Sequence, residues 1–267
     1  MSEEILRFEG VTKVFQLGGG KTLTACDHIT VGLEAGKTLG IVGESGSGKS
    51  TLAKILTRIY EPTEGKIFFH GEDITHLKGE ALRQHRRKIQ MIFQDPSTAL
   101  DPKLRVRDII CEPLLNFGLI SKKEVDAKAA EMLRLVDLPE DFAIRYPNNM
   151  SGGQRQRVAI ARALTLEPEI IICDEATSAL DVSVQKTVIA LLRKLQREKH
   201  IAYLFICHDL ALANDFCDNM LVMQHGKPVE IIHDLREAKT AYSKKLLASV
   251  FTIEEGKNKV LPPELFE

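Results

Sequence analysis

The stretch Gly43-Glu44-Ser45-Gly46-Ser47-Gly48-Lys49-Ser50 constrains this chain more than any other. It spells G-x-x-x-x-G-K-S, with the apolar run Leu39-Gly40-Ile41-Val42 before it and a helical pattern from Ser50 to Arg58 after it. Strand, glycine-rich loop and helix in that order turn backbone N–H groups toward one point at the positive end of a helix, which makes a cradle for phosphate. In such a loop Lys49 reaches the β- and γ-phosphates of a nucleotide and the Ser50 hydroxyl holds Mg²⁺. A plain Gly/Ser linker would have neither flank. The loop implies a P-loop NTPase without saying which kind.

Length and charge narrow the setting. A chain of 267 residues accommodates one large domain, two small ones, or one domain with an inserted subdomain. Its 36 Lys+Arg against 37 Asp+Glu leave a formal charge of −1, which argues against a nucleic-acid partner. No apolar run approaches the roughly 20 residues that span a bilayer. Met1-Ser2-Glu3-Glu4 has neither the basic start nor the apolar centre of a signal peptide, so a cytosolic protein is expected. The five cysteines, Cys26, Cys111, Cys173, Cys207 and Cys217, form no C-x-x-C pair and are expected as reduced, buried thiols.

Taken in order, Ile5–Phe15 and Ile29–Leu33 alternate as half-buried strands around a Gly18-Gly19-Gly20 loop. Phe15, near the end of the first strand, suits either stacking on an adenine base or a place in the core. Ile67-Phe68-Phe69 is a short strand, after which Gly71-Glu72-Asp73 turns the chain toward a polar helix. That helix carries the cluster Arg83, Arg86, Arg87 and Lys88, read as a solvated face. Ile89–Phe93 is a buried strand ending at Gln94. Strand signals then vanish, and Val125, Ala129, Met132, Leu133 and Val136 recur at helical spacing, which predicts a helical subdomain inserted at about residues 95–166. Ile170-Ile171-Ile172-Cys173 reads as a parallel strand buried on both faces. A helix around Val184–Leu195, a strand at Ala202–Cys207, a hairpin around His225-Gly226-Lys227 and a mobile tail from residue 256 complete the reading.

Hydrolysis of a nucleoside triphosphate needs a held phosphate, a metal and an oriented water. Asp174 stands at the end of an apolar strand, where P-loop enzymes keep the carboxylate of the Mg²⁺ site, and the adjacent Glu175 is placed to polarise the attacking water. Gln94 and His208 each follow a strand, which predicts both at the sheet edge that carries the phosphate loop. Ser151-Gly152-Gly153-Gln154 opens a helix and forms a second anion-seeking arrangement. Two phosphate-seeking helix starts with only one lysine-bearing loop suggest that the second serves a nucleotide held by another subunit.

With these motifs in this order, the chain resembles the nucleotide-binding subunit of an ATP-binding-cassette (ABC) transporter. The resemblance makes Gly43–Ser50 the Walker A loop, with Thr51 beside it among the ATP-binding residues. It makes Gln94 the Q-loop, Met150–Gln154 the signature and Ile170–Asp174 the Walker B strand. Glu175 matches the catalytic glutamate, Ser178–Asp181 the D-loop, His208 the switch histidine and Phe15 the adenine-stacking aromatic. Met150 stands where the family usually has leucine, an apolar exchange expected to cost little. The fold implied is α/β: a P-loop NTPase core with an antiparallel β subdomain and the inserted helical subdomain, an ABC nucleotide-binding domain over residues 1–255. ATP and Mg²⁺ are the implied cofactors, with Ser50, Gln94 and Asp174 toward the metal and Lys49, Gln94, Glu175 and His208 toward catalysis.

A narrower resemblance, to the oligopeptide, dipeptide and nickel importer branch, rests on Phe93-Gln94-Asp95-Pro96, Ala99-Leu100-Asp101-Pro102 and Ala176–Gln185. Within that branch the chain is most similar to the shorter ATPase of Sap-type (antimicrobial-peptide-sensitivity) systems. The implied partners are a second and different cassette ATPase, two membrane permeases and, indirectly, an extracytoplasmic binding protein. The implied place is the cytoplasmic face of the inner membrane. The competing expectation is a cassette in a soluble multi-enzyme assembly such as the carbon–phosphorus lyase complex.

Overall fold

The computed structural model describes residues 3–178 and 180–254. Ala179, inside the Ser178–Asp181 stretch, and the expected tail at 256–267 lie outside the described residues. The chain divides into two compact units, one running to His76 and resuming at Leu204, the other spanning Leu77–Tyr203.

The first unit opens with two long strands, β1 (Glu4–Gln16) and β2 (Thr22–Glu34), paired antiparallel from Glu4↔Glu34 to Gln16↔Thr22. Apolar side chains on β1 bury Ile5, Leu6, Phe8 and Val11. β2 begins at Thr22, well before the alternation around Ile29, because its first half is largely exposed and is held by cross-strand pairing instead of burial. β4 (Glu64–Phe69) pairs with the other edge of β1, and the two-residue β5 (Glu72–Asp73) pairs with β4, giving the order β2-β1-β4-β5. Glu72 and Asp73 therefore extend a sheet where the sequence indicates only a turn.

Within the same unit β3 (Thr38–Val42) is buried along its whole length, as a parallel strand covered on both faces must be. It runs parallel to β9 (Asn219–Gln224), which forms a hairpin with β10 (Lys227–Ile232). His225 and Gly226 turn that hairpin with φ of 47° and 81°, the left-handed pair that matches strand twist. Helix α1 (Lys49–Leu56) follows the phosphate loop. Helices α8 (Leu210–Phe216) and α9 (Ala241–Glu254) lie in the returning segment.

The second unit starts with α2 (Gly79–Lys88) and β6 (Ile89–Ile92), and β6 runs parallel to β7 (Ile170–Asp174) in the register Ile92↔Cys173. Between those strands the regular structure among the described residues is helical: α3 (Pro96–Ala99), α4 (Val106–Asn116), α5 (Val125–Leu135) and α6 (Gly152–Leu164). Val125, Ala129, Met132 and Leu133 are the buried stripe of α5, as their spacing requires. Helix α7 (Val182–Lys199) buries Val188, Leu191, Leu192 and Leu195 and leads to β8 (Ala202–Ile206), in which the chain passes back into the first unit.

All five cysteines are free and buried. Burial pushes the Cys26 thiol up from 9.0 to about 12 and the Cys111 thiol from 9.0 to about 11, since a thiolate has no solvation there. A thiol reagent at pH 8 should therefore find essentially no reactive cysteine in the native protein and all five in denaturant. Because the folded thiols hold their protons more tightly than unfolded ones, their share of stability is intact below 9.0 and is lost as pH rises toward about 12. Denaturant midpoints measured between pH 8 and 11 should fall accordingly.

Candidate nucleotide site

The first unit contributes the phosphate loop. Gly48 is the N-cap of α1 in a left-handed conformation with φ 100°, and no side chain caps the helix start. Gly48 has no side chain with which to cap them, so the first-turn N–H groups of α1 lie at the positive end of the helix, where an anion site is expected. The loop is wedged between neighbouring backbones. A β-carbon on Gly43 would meet the Met223 carbonyl oxygen at 2.1 Å, and one on Gly48 would meet the Ala25 carbonyl oxygen at the same 2.1 Å. Lys49 is 5% exposed and curls back over its own loop, donating to the carbonyls of Gly43 and Glu44 at 2.8 Å each. The Glu44 N–H donates outward to the Tyr242 hydroxyl of α9 at 3.1 Å.

His208 follows β8 directly. The Cys207 N–H donates to the Ile41 carbonyl at 3.4 Å, which sets the carboxyl ends of β8 and β3 side by side within this unit. His208, exposed, therefore stands at the edge from which the phosphate loop leaves, as its strand position implies. Phe15 is half-buried, meets Tyr60 edge-on at 5.1 Å between ring centroids and has the Lys13 ammonium 5.1 Å from its own centroid. It is not a core residue.

The second unit brings the other candidates together among themselves. Since β6 and β7 are parallel in the register Ile92↔Cys173, Gln94 and Glu175 leave equivalent ends of adjacent strands. Gln94 Nε2 donates to Ser178 Oγ at 3.4 Å, and Ser178 Oγ donates to the Glu175 carbonyl at 2.9 Å. Glu175 has φ 51°, a left-handed conformation that costs a side-chain-bearing residue about 1 kcal/mol or more. The chain turns sharply there, directly after Asp174. Asp181 caps α7 by accepting from Ser183 Oγ at 2.6 Å and the Val184 N–H at 3.0 Å, and those bonds hold its carboxyl below the usual range.

Ser151 begins α6 with a complete capping box: the Gln154 N–H donates to Ser151 Oγ at 3.3 Å, and the Ser151 N–H donates to Gln154 Oε1 at 2.9 Å. Ser151 and Gln154 thus satisfy each other, with Gly152 and Gly153 between them. Met150 is 6% exposed, so its apolar side chain fills the place expected of leucine. A β-carbon on Gly153 would meet Val184 Cγ1 at 2.3 Å and Val184 Cβ at 3.6 Å, so α6 and α7 approach closely at that glycine.

Two features escaped the sequence reading. Tyr242 lies in a helix whose only advance signal is a Thr240 cap with Ser243 three residues on. The basic cluster on α2 is not merely solvated: Arg83 and Arg86 line a groove of about 580 Å³ in the second unit with Leu82, Glu112, Phe117 and Arg162. There Arg83 lies 4.4 Å from the centre of the Phe117 ring, and Arg162 donates to Glu112 at 3.0 Å.

The chain is similar to several known proteins. The family model described as ABC transporter matches residues 26–178. The oligopeptide transport ATP-binding protein AppF of Bacillus subtilis is 46% identical over 93% of this chain and 78% of its own length. The dipeptide transport ATP-binding protein DppF of Lactococcus lactis is 42% identical over 86% of this chain and 74% of its own. Among solved structures, a dimeric ATP-binding cassette in a post-hydrolysis state bound to ADP and Pi superposes with a TM-score of 0.77 at 33% identity, covering 86% of this chain and 98% of that one.

The contact at Gly153 gives a test that separates packing from chemistry. Gly153→Ala should lower the thermal midpoint by several degrees because Val184 must move. Adding Val184→Ala removes Cγ1 and leaves the two β-carbons about 3.6 Å apart, so the double variant should recover most of that loss.

Proposed function

The chain belongs to the ABC transporter family, and on that footing we propose that it is the ATP-hydrolysing, energy-coupling subunit of an importer for peptides or related small solutes. The observation that carries the reading is a phosphate loop with a left-handed glycine at the helix start and a lysine folded over it, in a chain 46% identical to an oligopeptide transport ATPase over 93% of its length. In the proposed site, Lys49 and the N–H groups of residues 46–51 bind the phosphates, with Gly43, Glu44 and Ser45 shaping the turn. Phe15, half-buried beside Tyr60, stacks on the adenine. The oxygens of Ser50, Gln94 and Asp174 suit a hard cation, and Mg²⁺ held there would neutralise phosphate charge. Glu175 orients and deprotonates the attacking water, and His208 donates to the terminal phosphate.

Two cassettes pair head to tail, so that Ser151, Gly152, Gly153 and Gln154 of one chain close over the nucleotide held by the other's phosphate loop. That the ADP- and Pi-bound cassette similar to this chain is dimeric supports pairing of two cassettes. The partner cassette is a different chain, and two permeases complete the transporter at the cytoplasmic face of the membrane. Among the described residues no helix is long and apolar enough to cross a membrane. The arginine-lined groove of the second unit offers a permease segment both apolar wall and hydrogen-bond donors. The peptide-transport relatives do not favour a soluble multi-enzyme assembly.

Glu175→Gln in the assembled complex should leave ATP binding intact and reduce turnover by at least about 100-fold, the usual scale for a general base. Unchanged hydrolysis would remove Glu175 from the mechanism. Tagging the chain in its native cell and extracting membranes in mild detergent should recover polytopic permeases and a second cassette. Recovery with soluble metabolic enzymes alone would overturn the transport reading.

A further inference from the structure

The phosphate loop has a support that none of its motifs supplies. Helix α9 begins at Ala241, and its N-terminal turn is fixed from two sides. Thr240 Oγ1 donates to Glu230 Oε1 on β10 at 3.0 Å, and the Lys239 N–H donates to Glu230 Oε2 at 3.2 Å. The Ser243 N–H in turn donates to Thr240 Oγ1 at 3.2 Å, which starts the helix. So anchored, α9 presents the Tyr242 hydroxyl to the Glu44 N–H at 3.1 Å.

That bond orients one particular peptide. Glu44 is held at both ends: its N–H points out to Tyr242, while its carbonyl points in and accepts from Lys49 at 2.8 Å. The hairpin that carries Glu230 also grips the other side of the loop, since the Gly226 N–H donates to the Ser47 carbonyl at 3.1 Å. The β9–β10 hairpin and α9 thus form one bracket, touching the loop at Ser47 and at Glu44. Among the described contacts, Tyr242 is where α9 hydrogen-bonds the loop.

We propose that Tyr242 is a positioning residue for nucleotide binding, acting through the Glu44 peptide to keep the entry of the phosphate loop in the conformation that receives phosphate. The inference rests on the ATP-binding reading above. Without the hydroxyl, the Gly43–Glu44 peptide keeps only the Lys49 bond to its carbonyl at 2.8 Å, and part of the binding energy is spent on ordering its N–H end. The expected loss is that of one neutral hydrogen bond, about five-fold in affinity.

The test uses the purified full-length chain and a fluorescent ATP analogue. Tyr242→Phe, which removes only the hydroxyl, should raise Kd about five-fold for the analogue and for ADP. Thr240→Val, which removes the hydroxyl that bonds Glu230 and accepts from the Ser243 N–H, loosens the first turn of α9 and should raise Kd to a similar degree. Because both act through one bracket, the double variant should be no worse than the weaker single one, a non-additivity that two unrelated structural losses would not show. Wild-type affinity in Tyr242→Phe, or additive losses in the double variant, would overturn the proposal. Failure of the wild-type chain to bind the analogue would instead overturn the ATP-binding reading, so the two failures are distinguishable.

Discussion

The close approach of two carbonyl oxygens to the phosphate loop is the constraint on which the first unit depends. Met223 O and Ala25 O stand where β-carbons of residues 43 and 48 would be, each at 2.1 Å. The loop is therefore clamped between the backbones of β9 and β2. A short relay closes the clamp: the Asp27 N–H donates to the Gly226 carbonyl at 2.8 Å, and the Gly226 N–H donates to the Ser47 carbonyl at 3.1 Å. Buried Cys26 lies beneath, its thiol 3.6 Å from the Gly48 carbonyl. The antiparallel strands do more than form a layer of their own, because the β2 end of that layer is one wall of the site. Apart from the Glu44 N–H, which donates to Tyr242, the surroundings grip the loop through its carbonyls and through backbone shape at the clamped glycines.

The second unit solves a different problem, that of aiming carboxylates and helix ends from a parallel pair of strands. Parallel strands place their carboxyl ends side by side, so Gln94 and Glu175 share an edge without any design in the loops that follow. What the loops add is orientation. Glu175 sits at φ 51°, and Ser178 ties both its carbonyl and Gln94 into one short network. A left-handed glutamate directly after a strand is uphill by itself and persists because bonds around it over-determine the turn. That is the pattern expected where a side chain must point in one direction.

Much of this was legible in the residues, and the parts that were not share a physical cause. The loop, the Ile170–Cys173 strand and the helical stretch between Gln94 and Ile170 are local patterns, readable from periodicity and from glycine placement. Glu72 and Asp73 became a strand because β4 offered them an edge, which no window of sequence around them records. β2 starts early for the same reason, its first residues being exposed and held by β1. Arg83 and Arg86 looked like a solvated face because their groove is completed by Glu112, Phe117 and Arg162, well downstream in the chain. Tyr242 lies 198 residues from Glu44, and no local pattern announces a bond over that separation.

The donors and acceptors of the candidate site are not idle in the free chain, and this sets how binding must work. Lys49 is engaged with two carbonyls of its own loop, and Ser151 and Gln154 are engaged with each other. In the proposed site a nucleotide would exchange these bonds for new ones, so the number of hydrogen bonds would change little and their count would not be the source of affinity. The gain lies in charge. A lysine that leaves neutral carbonyls for phosphate oxygens keeps its charged donor and gains a charged acceptor, so the exchange adds a charge–charge attraction that the carbonyls do not supply. At Ser151 the capping box satisfies two donors, and the Gly152 and Gly153 N–H groups remain in the first turn of α6 with the helix dipole behind them. Internal satisfaction keeps both elements folded before ligand arrives, and the charge of the triphosphate is what makes the exchange favourable. A neutral ligand of the same shape would find the same groups already occupied and would bind weakly.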